Sequence, residues 1–97
     1  MINRTVLLKF SETTTQEQLQ EVIEQFKALK NHLTGIVDLQ AGLNFAEKSK
    51  EYQVVLTVRF EDRAALDAYA NDEKHQDVAA FIREVGRVDS IGVDFEL

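Results

Sequence analysis

The chain predicts an α+β fold, a four-stranded antiparallel sheet that carries its helices on one face. Three observations support that expectation. Four stretches, at 2–10, 37–43, 53–60 and 88–95, alternate side chains with the period of two that belongs to a strand. Between them, three stretches repeat apolar residues at spacings of three and four, the period of an amphipathic helix. The order is strand, helix, strand, strand, helix, helix, strand. No proline, internal repeat, low-complexity tract or linker divides it, so one domain is expected over 1–97.

The first strand, Ile2–Phe10, puts Ile2, Val6, Leu8 and Phe10 on one face and Asn3, Thr5, Leu7 and Lys9 on the other, with Arg4 interrupting the apolar face. A helix start follows in SETTTQEQLQ. Two capping-box frames overlap there, Thr14 three before Glu17 and Thr15 three before Gln18. Leu19, Val22, Ile23, Phe26 and Leu29 form one apolar stripe, with Gln18, Glu21, Glu24, Gln25 and Lys27 outside it. The stripe is read as core rather than as a partner groove or lipid-facing surface, because a sheet must be covered. The helix gives out over 31–35, where Gly35 supplies a flexible turn.

In the second strand Val37, Leu39, Ala41 and Leu43 alternate with Asp38, Gln40 and Gly42, and the polar residues 46–51 turn the chain toward the third. That third strand puts Val54, Leu56, Val58 and Phe60 on one face, with Gln53, Val55, Thr57 and Arg59 opposite. Asp62 is placed to cap a short helix holding Ala65, Leu66, Tyr69 and Ala70. Asn71 and Asp72 stop it, and either can cap the next helix, in which Val78, Ile82 and Val85 repeat before Gly86 ends it. The last strand carries Ile91, Val93 and Phe95 on one face.

This is the ferredoxin-like plan. Helices cover one side of such a sheet, yet the other side would carry Leu7, Val55 and some residues of the second and last strands. A homodimer packing sheet against sheet would bury them.

Composition narrows the function. A net charge of -6 with 11 scattered Lys and Arg disfavours a nucleic-acid partner and an acidic membrane surface. With no cysteine there is no disulfide, thiolate nucleophile or Cys-based metal site, which suits the cytoplasm. The apolar run in MINRTVLLKF is too short to span a bilayer, and no signal-peptide core or cleavage site follows. His32 and His75, 43 residues apart and without an HExxH-like spacing, predict no metal site. The four glycines form no phosphate loop, and no cofactor is implied.

One constellation looks chemical, Tyr69 and His75 six residues apart. Each has a plainer reading beside it. A tyrosine on the stripe of a short helix packs in the core with its hydroxyl at the edge. A histidine at a helix start can hydrogen-bond the turn over 71–73. Arg4 can pair with Asp94 or Glu96 across neighbouring strands, and His32, in a polar helix end, reads as surface.

The segments LLKF, GIVDLQAGLNF, YQVVLTVRFEDRAALDAYANDEKHQDV and VDFEL, in this order and spacing, resemble the Dabb family, the stress-responsive dimeric α/β barrel domains. The run from Phe60 through Tyr69 to His75, with the closing Asp94 and Phe95, is the most specific part, and the resemblance covers nearly the whole chain. It implies a dimer whose two sheets form a barrel, with a cleft in each subunit between sheet and helices. Some plant members are heat-stable stress proteins, one is a polyketide cyclase, and many bacterial members have no assigned activity. The cyclase uses a tyrosine and a histidine at this six-residue spacing, and Tyr69 and His75 match them.

What the resemblance implies is acid/base chemistry without a cofactor. His75 would take a proton from a carbon next to a carbonyl, and Tyr69 would donate to the enolate oxygen. Where the cyclase has two further histidines, this chain has Arg4 and Val54, so both positions are expected at the ligand, and an arginine there can clamp a carboxylate or phosphate. Three readings follow: a small-molecule-binding protein with cyclase-like chemistry on a small carbonyl compound, a non-catalytic stress or structural dimer, and a monooxygenase-like member of the wider superfamily.

Overall fold

Seven elements form in the computed structural model, which describes residues 1–48 and 50–97; Ser49, in the turn expected over 46–51, lies outside the described residues. They are β1 (Ile2–Phe10), α1 (Gln16–Ala28), β2 (Ile36–Leu43), β3 (Val54–Phe60), α2 (Arg63–Ala70), α3 (Glu73–Glu84) and β4 (Arg87–Glu96). The strands stand in the order β2-β3-β1-β4 with every neighbouring pair antiparallel, so the ferredoxin-like plan is the fold.

Local chemistry fixes where each helix begins. Of the two overlapping frames the second is used: Thr15 accepts from the Gln18 backbone N–H while the Gln18 side chain accepts from Thr15, a closed capping box. Thr14 instead donates to the Val85 carbonyl and ties the start of α1 to the end of α3. Asp62 caps α2 through the Ala65 N–H, and Asp72 caps α3 through the N–H groups of Lys74 and His75. Each such cap contributes about 1 kcal/mol.

The core lies between the sheet and the helices. Leu19, Val22, Ile23 and Phe26 of α1 meet Val54, Leu56, Val58 and Phe60 of β3, all buried, and each large apolar side chain so buried contributes roughly 1.5 to 3 kcal/mol. Two bulges adjust the expected register. In β2 the pairing passes from Ile36↔Phe60 to Asp38↔Arg59, so Val37 is the extra residue, stands 41% exposed, and leaves the inward place to Ile36. Leu43 keeps the expected row, opposite Val54, but at the strand's end it is exposed. In β4 the pairing passes from Lys9↔Asp89 to Phe10↔Arg87, so Val88 is extra and Arg87 returns to the face under the helices.

That register gives β4 an alternation opposite to the other strands. Its partners on β1 put Ser90, Gly92, Asp94 and Glu96 on the helix side and Ile91, Val93 and Phe95 on the far side. The three apolar residues are 44%, 53% and 52% exposed, in one band with Leu7 and Val55. The edge strand thus offers polar groups to the space beneath the helices and apolar ones to the open face. No helix is long and apolar enough to cross a membrane among the described residues.

Candidate functional site

The site grows from the junction of α2 and α3. Tyr69 lies on the inward stripe of α2, where its ring packs against Phe60 with centroids 5.1 Å apart and planes tilted by 59°. Asn71 ends α2 and Asp72 begins α3 at once, which brings His75 back over the end of α2. The Tyr69 and His75 rings end 4.2 Å apart, tilted by 43°. Phe60, Tyr69 and His75 therefore form a short aromatic series, and such contacts add about 0.5 to 1.5 kcal/mol each beyond the area they bury.

Packing alone leaves two polar atoms unaccounted for. The Tyr69 hydroxyl and His75 Nδ1 are both buried and have no hydrogen-bond partner among the described residues, although buried polar groups are nearly always paired because stranding one costs about 1 to 3 kcal/mol. Both residues line a cavity of about 180 Å³ between the sheet and the helices. Its apolar walls include Val6 and Leu8 of β1, Leu56 of β3, Phe26 of α1 and Ile82 of α3; its polar edge is Arg4, Arg87 and Ser90.

Electrostatics assign the pair its protonation states. Burial lowers the His75 pKa below its usual value; the nearby Ala70 carbonyl is the next influence and raises it, the Arg4 charge lowers it, and Asp72 raises it least. Burial pushes the Tyr69 hydroxyl up to about 12, with Arg4 acting weakly against it. At neutral pH the cavity therefore holds a neutral imidazole beside a neutral phenol, one able to take a proton and the other to donate a hydrogen bond.

Arg4 reaches the site along the sheet. Its Nη1 donates to both carboxylate oxygens of Asp94 at 2.9 Å, the pairing foreseen as the plainer reading, and yet it also lines the cavity. Glu96 pairs with Arg63 instead. Gly92 makes room for this path: a Cβ there would lie 3.1 Å from Arg4 Nη2.

Val54 is not brought to the site. It is fully buried between Leu8 and Leu43 of the neighbouring strands and does not line the cavity. His32 stands at the surface, its Nε2 3.2 Å from Asp72 Oδ1. Arg87 and Ser90 were not singled out from sequence, because the bulge at Val88 that sets their side of β4 leaves no residue signature. Larger depressions exist, of about 560 Å³ beside Ile2, Leu66 and Phe95, about 660 Å³ beside Phe45, Tyr52 and Val88, and about 260 Å³ beside Ala41, Leu43 and Val55, but neither Tyr69 nor His75 lines them.

Comparison with known proteins places the chain. The family model described as the Stress responsive A/B Barrel Domain, Dabb, matches residues 2–97. A dimeric ferredoxin-like protein of unknown function from Jannaschia sp. CCS1 is 27% identical, with a TM-score of 0.83 over 99% of this chain and 98% of that one. Another, from Thermobifida fusca YX, is 20% identical with a TM-score of 0.87 over 99% of this chain and 90% of that one. A hydroxynitrile lyase from Passiflora edulis is 10% identical with a TM-score of 0.86, covering 99% of this chain and 92% of that one. These last two likenesses are of fold alone. No curated protein matches the sequence.

Proposed function

The chain belongs to the Dabb family of stress responsive A/B barrel domains, and from that premise we propose that it binds a small carbonyl compound between sheet and helices and offers it acid/base chemistry without a cofactor. The observation that carries this reading is the pair of unpartnered buried atoms, the Tyr69 hydroxyl and His75 Nδ1, on two residues that line one cavity. Leaving both unsatisfied costs stability, and a ligand oxygen and an acidic C–H would supply the partners they lack.

The roles follow from the protonation states. Neutral His75 takes a proton from the carbon next to the carbonyl, the C–H electron pair moves toward the carbonyl oxygen, and the neutral Tyr69 hydroxyl donates to the enolate oxygen as its charge grows. The imidazolium then returns its proton, either to the enolate carbon or, where that carbon attacks a second carbonyl of the compound, to the alkoxide left as that C=O π bond opens. The cavity measures about 180 Å³, so the compound is a small one. The Arg4 charge beside the pair favours the enolate further.

We place the protein as a homodimer, in the cytoplasm. The band of exposed Ile91, Val93 and Phe95 with half-buried Leu7 and Val55 supports a second copy packed on the outer sheet face, and the relative at 27% identity is dimeric. That same band supports the alternative, a non-catalytic stress-response or structural dimer.

Hydrogen–deuterium exchange at the α-carbon of small ketones and 3-oxo acids, followed by NMR in D₂O, tests the chemistry. Catalysed exchange that falls by about 10² or more in His75→Gln is expected. Exchange at the buffer rate for the whole panel, or catalysis unchanged in His75→Gln, removes this pair as the acid/base machinery and leaves the structural dimer.

A further inference from the structure

The charges around the cavity are one-sided. Two guanidinium groups, Arg4 and Arg87, line it, and no carboxylate does, in a chain that carries 17 acidic against 11 basic residues. Neither cation is used up. Asp94 takes only Nη1 of Arg4; Nε and Nη2 donate to nothing among the described residues, and Nη2 lies over Gly92 on the cavity side of the sheet. Arg87 forms no ion pair and no side-chain hydrogen bond among the described residues. Nε and Nη2 are the edge of a guanidinium that meets a carboxylate with two parallel hydrogen bonds.

From this arrangement we propose that the ligand is a small carboxylate anion, a 3-oxo acid or a close relative, whose carboxylate docks on the Nε and Nη2 edge of Arg4 while its keto end reaches Tyr69 and His75. The inference rests on the reading of the cavity given above and names the class of compound. Asp94 holds the far side of the guanidinium and so fixes the free edge. Arg87 enters from the other end of β1, opposite Phe10, which stands six residues, or roughly 20 Å of strand, from Arg4. It adds a second positive charge that draws an anion in, screened by salt.

The apolar walls hold the carbon skeleton between these polar ends. Phosphate esters fit less well. A phosphate presents three oxygens and needs more donors than one guanidinium edge, and no loop of backbone N–H groups lines this cavity.

Acetoacetate and pentane-2,4-dione differ only in a carboxylate replacing an acetyl group, and inorganic phosphate supplies charge without the skeleton. Titration of the protein with each at pH 7.5, read from the His75 ring resonances, is the test. Acetoacetate is expected to bind about tenfold or more tightly than the dione, with the gap closed in Arg4→Gln and narrowed about threefold in Arg87→Gln, mainly at low salt. Equal affinity for acetoacetate and the dione overturns the anion and leaves the cavity reading intact. Phosphate binding as tightly as acetoacetate overturns the carboxylate class. If none of the three moves His75, the cavity reading fails with it.

Discussion

The Tyr69 and His75 ring centroids lie 4.2 Å apart, yet neither satisfies the other: the phenol hydroxyl and His75 Nδ1 each stay buried without a partner among the described residues. Rings in contact with their polar atoms unpaired make a poor structural hydrogen bond and a serviceable binding wall. The predictions below separate those roles.

Tyr69→Phe removes the stranded hydroxyl and keeps the ring on Phe60. Stability is expected to stay level or rise by about 1 kcal/mol, since a buried unsatisfied group is deleted without leaving a large cavity. Ligand binding and catalysed exchange are expected to fall. Urea unfolding beside a ligand titration checks the two signs together; a Tyr69→Phe protein that loses stability means the hydroxyl is a structural group.

The pH dependence of folding carries two signs. The folded His75 pKa is depressed, so between it and the unfolded value of 6.5 the unfolded chain binds more proton, and stability falls as pH drops below about 6.5, levelling out below the folded pKa. The folded Tyr69 pKa is raised to about 12, so the unfolded chain loses its proton first and stability declines from about pH 10 to pH 12. His75→Gln is expected to flatten the acid limb and Tyr69→Phe the alkaline one in denaturant midpoints measured across pH.

Gly92→Ala probes the path of Arg4. Its new Cβ would stand 3.1 Å from Nη2, and the flexible guanidinium can yield by a few tenths of an ångström, so stability is expected to change by less than about 0.5 kcal/mol. The displaced Nη2 edge should weaken acetoacetate binding severalfold while leaving the dione unaffected. Equal losses for both would locate the effect in the cavity wall rather than in Arg4.

Val93→Asp places a charge in the middle of the apolar band, opposite Thr5. Dimer affinity is expected to fall by about a hundredfold, which is about 3 kcal/mol. Sedimentation velocity at micromolar concentration reads this directly, with the unaltered protein as dimer and the variant as monomer.

Much of this fold is legible in the sequence because its signals are local. Period-two alternation marks β1 and β3, helical spacing marks α1 and α3, and Thr15, Asp62 and Asp72 sit where caps must sit. The outer apolar face was also readable, since Leu7 and Val55 fall opposite the inward residues of their strands. Register across bulges was not. Val37 and Val88 look like ordinary strand residues, and only pairing with β3 and β1 shows each to be the extra one.

The site was half legible for the same reason. Tyr69 and His75 share one short segment, so a six-residue spacing places them. Arg4 could be put on the inward face by parity, and the structure adds that it both pairs with Asp94 and lines the cavity. Val54 has the right parity but stands in the closed core beside Leu8, because position along the strand, not side, decides what reaches a cavity.

With two histidines in the chain, the imidazole NMR spectrum gives the most direct test of the central claim, that Tyr69 and His75 together face a bound carbonyl compound. His32, held at the surface by Asp72, is the internal reference. Titration with acetoacetate is expected to shift the His75 ring nitrogens saturably, to leave those of His32 in place, and to lose most of its effect in Tyr69→Phe. A His75 signal unmoved at saturating acetoacetate and pentane-2,4-dione, or one that moves equally in Tyr69→Phe, would contradict the account.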